Sequence, residues 1–162
     1  MPEAKNIPKI RKLQGKVQLP YNVREKTRTD EDGNQEIYYA FDRLNLNQAQ
    51  LPSLEQAKKQ VVTALQADLH KHIYPEYDQG SQASIQAIAQ KAERNGLSDI
   101  ADECEKIFNW IEDCLDYYYA RKDDILNATD EQSLVTINWN FVGNVPKPSD
   151  LKTLREIKGM FS

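Results

Sequence analysis

Four carboxylates, Asp102, Glu105, Asp113 and Asp116, are the residues of this 162-residue chain whose types and spacing could do metal chemistry. Asp102 and Glu105 are three residues apart, as are Asp113 and Asp116, so on a helix each pair shares a face. Paired carboxylates are one way of holding magnesium against a phosphate. A magnesium-dependent helical nucleotide hydrolase is therefore one chemistry the spacing allows. At 1.5 Å per residue, however, the two pairs lie about 16 Å apart on one helix. They cannot share an ion without a second subunit. No glycine-rich phosphate loop accompanies them. The stronger expectation is an acidic face turned to solvent or to a partner, with no metal and no cofactor.

The other reactive types give less. In TDEDGNQEIYYAF, residues 29–41, the side chains of Asp30, Asp32 and Asn34 alternate as calcium ligands do. Counted from Asp30, a helix–loop–helix calcium site would need glycine at the sixth place and glutamate at the twelfth. Those places hold Gln35 and Phe41, so the stretch reads as a hairpin turn. His70 and His72 are two apart and point to different faces of a helix, so they cannot grip one metal as an i, i+4 pair does. Cys104 and Cys114 on one helix would lie about 15 Å apart, beyond disulfide reach. No GxSxG elbow is present. Tyr117, Tyr118 and Tyr119 precede Arg121 and Lys122, a grouping that could stack bases. Three consecutive helical residues spread over about 200°, though, which favours a core or interface role.

These groups must be positioned by elements of changing character. Residues 1–20, with Pro2, Pro8 and Pro20, read as an extended basic arm. The rest, 21–162, is expected to form a single domain. Within it, 21–45 read as a β-hairpin, because Ile37, Tyr39 and Phe41 alternate with Tyr38, Ala40 and Asp42. Residues 53–128 carry helical periodicity in three runs. Ser53 and Gln56 make a capping box, a second helix starts near Ser81 and ends at Asn95-Gly96, and Ser98 opens the third. In 134–162, Val135, Ile137, Trp139 and Phe141 alternate as in a strand or an extended segment with one apolar face, and a short helix follows with Ser149 as its cap. The expected fold class is α+β, mainly α: an antiparallel helical unit of about three helices, an N-terminal β-hairpin, and an extended C-terminal segment ending in a short helix.

Charge is unevenly placed on a chain whose net value is −4. Lys5, Lys9, Arg11, Lys12 and Lys16 make the first segment basic, whereas Asp99–Asp116 holds seven carboxylates against Lys106 alone. A basic arm can serve nucleic acid. It can equally dock on an acidic protein surface, such as that helix in a neighbouring subunit. No apolar run is long enough to span a bilayer and the start lacks a secretory pattern, so no membrane insertion is expected.

From Trp110 through the Tyr117–Tyr119 run, past Ala128-Thr129 to Ile137-Asn138-Trp139-Asn140-Phe141 and a short amphipathic ending, the second half resembles small structural or tail-fibre-associated proteins of tailed bacteriophages and prophages. The likeness covers residues 80–160, and the segment often written Trp-Asp-Phe in that family has Asn140 at its centre. It implies a non-enzymatic tail, tail-fibre or baseplate component that binds other structural proteins of the same particle. The location would be the virion, and the host cytoplasm during assembly. A homo-oligomer is a further option, and a small nucleic-acid-associated regulator using the arm is the weaker alternative. The expected interface residues are Trp110, Tyr117, Tyr118, Tyr119, Trp139 and Phe141, with Lys9, Arg11 and Lys12 from the arm.

Overall fold

The computed structural model describes residues 2–161, about 50% of the chain being helix and 19% strand. The expected combination of α and β elements holds at that level. Contacts divide the chain into two units, one of residues up to Leu65 with Ala120–Trp139, the other of Gln66–Tyr119 with the residues from Asn140 on.

The first unit is built on a four-stranded antiparallel sheet of β1 (Glu3–Ala4), β2 (Arg11–Leu13), β3 (Lys16–Thr29) and β4 (Gln35–Leu46), in the order β1-β4-β3-β2. The hairpin expected over 21–45 thus begins earlier, at Lys16. Gly33, at φ 83°, supplies its turn. The Asp30 carboxylate accepts hydrogen bonds from the backbone N–H groups of Asp32 and Asn34 at 3.0 and 2.8 Å, so the acidic alternation there serves the turn. Gln14 and Gly15, both at positive φ, close a second hairpin between β2 and β3.

The segment expected as an arm outside the folded body therefore supplies two strands and the start of a third. Val17 and Leu19 within it are wholly buried. Its prolines and charges concealed strands that are too short to show a period.

One irregularity sets the faces of the sheet. Tyr21 lies opposite Asp42 and Arg24 opposite Ala40, leaving Asn22 and Val23 together against Phe41. This β-bulge shifts which alternate residues of β3 face the core. It also turns Asn22, at φ 51°, inward. There its side-chain amide accepts from Trp139 N–H at 3.0 Å and donates to Trp139 C=O at 3.3 Å. A single amide does for Trp139 what a neighbouring strand would do, and the indole stacks on Tyr21 at 5.6 Å.

The segment expected as a strand or extended run is non-helical only over residues 137–140, and short helices flank it. Asp130 caps a short helix, α4 (Glu131–Val135), by a reciprocal box with Ser133, and Asn140 caps another, α5 (Phe141–Asn144). Local capping overrides the two-residue alternation.

Three longer helices follow the sheet: α1 (Leu54–Ile73), α2 (Gln79–Arg94) and α3 (Ser98–Leu126). Ser53 and Gln56 form their capping box at 3.0 and 3.2 Å. Asp78 caps α2, so that helix starts before Ser81. In the first unit, α1 buries Ala57, Val61 and Leu65, and its Lys58 ammonium donates to the last carbonyl of α3, Leu126, at 2.9 Å. The division runs through α1 and α3, so the helical part expected over 53–128 is shared between the two units.

In the second unit the buried stripe of α3 is Ile100, Cys104, Ile107, Trp110, Ile111, Cys114 and Tyr118. The Val145 carbonyl accepts from Trp110 Nε1 at 3.1 Å and lies 2.7 Å from His72 Nε2. Tyr77 OH donates to Lys152 C=O at 2.7 Å. These bonds tie down the proline-containing run before α6 (Leu154–Gly159), which Thr153 caps in place of Ser149. No helix among the described residues is long and apolar enough to cross a membrane.

Candidate functional site

The strand order builds the site. β1 lies at one edge of the sheet and β2 at the other. The connecting residues 5–10 must therefore cross β4 and β3 over one face. Side-chain alternation, with Pro20 opposite Arg43, puts Gln18, Pro20, Phe41 and Arg43 on that face and the buried Val17 and Leu19 on the reverse. β2 stops pairing at Gln18, so Pro20 has a strand neighbour on one side only, the setting in which a strand tolerates proline. The Ile10 N–H donates to Glu131 Oε1 at 3.2 Å and fixes the far end of the strap.

Between strap and sheet is a cavity of about 320 Å³. Ala4, Ile7, Pro8, Pro20 and Phe41 give it apolar walls, and Lys5, Lys9, Arg11 and Arg43 line it with cations. Among the described residues, the side chains of Lys5, Lys9 and Arg43 have no ion-pair or hydrogen-bond partner, and that of Arg11 bonds only to Gln18 Oε1, at 3.0 Å. The one carboxylate in the lining, Glu3, is held by Arg28 at 3.0 Å. Four positive charges thus share a concave surface with no anion committed to them. Such a surface takes a carboxylate or phosphate, and its two guanidinium groups can bind either in a bidentate manner. Its apolar walls favour a ligand with an apolar part beside the charge.

The expected site residues fall into three groups. Lys9 and Arg11 line this cleft, and Lys12 is exposed on β2 outside the lining. Of the aromatic residues expected at an interface, Trp110, Tyr118, Trp139 and Phe141 are buried, with 4–7% of their surface exposed. Tyr117 is half-buried, its hydroxyl accepting from Asn140 N–H at 2.9 Å and its ring edge-on to Phe141 at 5.2 Å. Only Tyr119, 55% exposed, is open to a partner.

The carboxylates Asp102, Glu105, Asp113 and Asp116 are all exposed on α3. Among the described residues, no three His, Cys, Asp or Glu side chains come together as a metal site. His72 is packed against Trp110 and Phe141, and His70 stacks on Tyr74 at 4.5 Å. Both thiols are free and buried. Burial, with Asp113 adding to it, pushes Cys114 up to about 12.

Lys5 and Arg43 were missed as site residues. The Gln14-Gly15 turn between two short runs was the signal for β2, and β2 is what carries the strap across the sheet. No protein-family model, curated protein or solved structure matches the chain.

Proposed function

We propose that this chain is a non-enzymatic interaction subunit that docks on an acidic neighbour through the cleft under its N-terminal strap. Its most concrete setting is a tail, tail-fibre or baseplate component of a phage-like particle. The observation that carries the docking role is the set of four cations that pair with no carboxylate among the described residues, around an apolar-walled cavity. Gathering like charges costs the isolated chain stability, and a partner's carboxylates remove that cost. Desolvated charge pairs over an apolar floor also fix orientation. Nucleic acid is the poorer match, since the net charge of −4 and the acidic face of α3 repel a phosphate backbone. The particle setting rests on the sequence resemblance.

A labelled polyglutamate peptide, followed by fluorescence anisotropy, tests the docking role. Binding should weaken as salt rises and should fall about tenfold or more, equivalent to about 1.4 kcal/mol, in an Arg11→Glu/Arg43→Glu variant that keeps its circular dichroism. Equal binding by that variant would refute the cleft as the docking site. Mass spectrometry of purified particles tests the setting. A fixed stoichiometry of the chain in them supports it, and absence from them removes it.

A further inference from the structure

Resting on that docking role, we infer that the acidic partner is a second copy of the chain, whose α3 offers the matching surface. At 3.6 residues per turn, Asp102, Glu105, Glu112, Asp113 and Asp116 fall within an arc of about 100° along about 21 Å of helix. All five are exposed, and none is ion-paired among the described residues. The neighbouring cation, Lys106, is engaged by Glu103 at 3.2 Å and Asp150 at 3.8 Å. Like charges at three- and four-residue spacing weaken a helix, and of the five only Asp102 is shown to be attracted by Lys106, so most of the cost of this stripe stays within the chain.

The stripe also has an apolar end. Tyr119 lies about 20° past Glu112 at the edge of the arc and is 55% exposed. The surface of α3 therefore offers a row of carboxylates ending in an aromatic ring. The cleft offers a set of cations beside Ile7, Pro20 and Phe41. Charge and apolar character match on both counts, and the two surfaces occur on every copy at equal concentration. Carboxylates of α3 in one copy meet Arg11 and Arg43 of the next, and Tyr119 reaches the apolar wall.

The test uses two full-length variants, Arg11→Glu/Arg43→Glu in the cleft and Asp113→Lys/Asp116→Lys on the stripe. All four positions are at the surface or the cleft rim, and thermal unfolding confirms that each variant folds. Light scattering should give a wild-type mass above one chain that falls to one chain as salt rises. Each variant alone should stay at one chain, and an equimolar mixture should regain mass, because an intact stripe then meets an intact cleft. Wild type that remains one chain at every concentration overturns the inference, as does association that both variants retain. Polyglutamate binding read on the same samples separates the two claims. If the peptide binds a monomeric wild type, the second copy is excluded and the docking cleft stands. If it does not bind, the docking role falls as well.

Discussion

At the hairpin end of the sheet, Arg28 holds Glu36 at 3.1 Å and Glu3 at 3.0 Å and lies 4.6 Å from the centre of the Tyr38 ring. The Glu36 hydrogen bond raises the Arg28 pKa most, burial opposes it, and the charge of Glu36 and then the Glu3 contacts add to the rise. At the strap end of the same sheet, Lys5, Lys9 and Arg43 have no anion among the described residues. Two lengths of one hairpin, made from similar residues, thus treat charge in opposite ways. The cations at the strap end are left for something outside the fold. The bulge at Asn22 separates the two ends, and Trp139 locks that bulge.

Trp139→Ala is the largest test of that separation. Losing the buried indole should cost about 3–5 kcal/mol in urea unfolding. Asn22→Ala should follow, at about 1–3 kcal/mol for each Trp139 backbone group left without a partner. If Asn22→Ala were neutral, the bulge would not depend on the amide, and the two ends of the sheet would be independent. Lys58→Met should cost about 1–3 kcal/mol, because the Leu126 carbonyl loses its donor. This places a paired, buried cation of the same unit on the scale beside the unpaired ones.

A smaller effect is expected in alkali. Cys114 is pushed up to about 12 by burial and Asp113, and Tyr77 to about 12 by burial, Glu76 and Glu156. Their ordinary values are 9.0 and 10.0. Between those values and 12 the unfolded chain has lost protons that the folded chain keeps, so the stability these groups contribute is complete below 9.0 and falls as pH rises. Urea midpoints measured across that window should drop, and Cys114→Ala should drop less. A midpoint that rises with pH would contradict the burial of these groups. The smallest effect belongs to Arg28→Gln, whose exposed pairs should leave the unfolding midpoint almost unchanged.

Part of this architecture is legible in the residues. Ser53 with Gln56 marks a helix start by side-chain bonds within one turn, and Asn95-Gly96 and Gly33 mark a helix end and the hairpin through local backbone conformation. The strap is not legible, because β1 is fixed by pairing Glu3 with Ala40, a long-range contact that leaves no period in the sequence. The alternation Val135-Ile137-Trp139-Phe141 misleads because Asp130 and Asn140 start helices on either side of it. For the site, clustered charge exposes Lys9 and Arg11. Arg43 joins them only through its register opposite Pro20. Trp110 is assigned to a possible interface only if Cys114 is ignored. Ile107 and Cys114, three residues before it and four after, are both wholly buried and place it on the core face.

The most direct test of the central claim compares the two ends of the sheet in one titration. Labelled polyglutamate is added to the wild type, to Arg43→Gln and to Arg28→Gln, with the unfolding midpoint of each measured alongside. The predicted result is binding that falls about tenfold for Arg43→Gln and is unchanged for Arg28→Gln, with both midpoints near that of the wild type. Equal losses in the two variants would mean that the peptide reads net charge alone, and the cleft would not be a site.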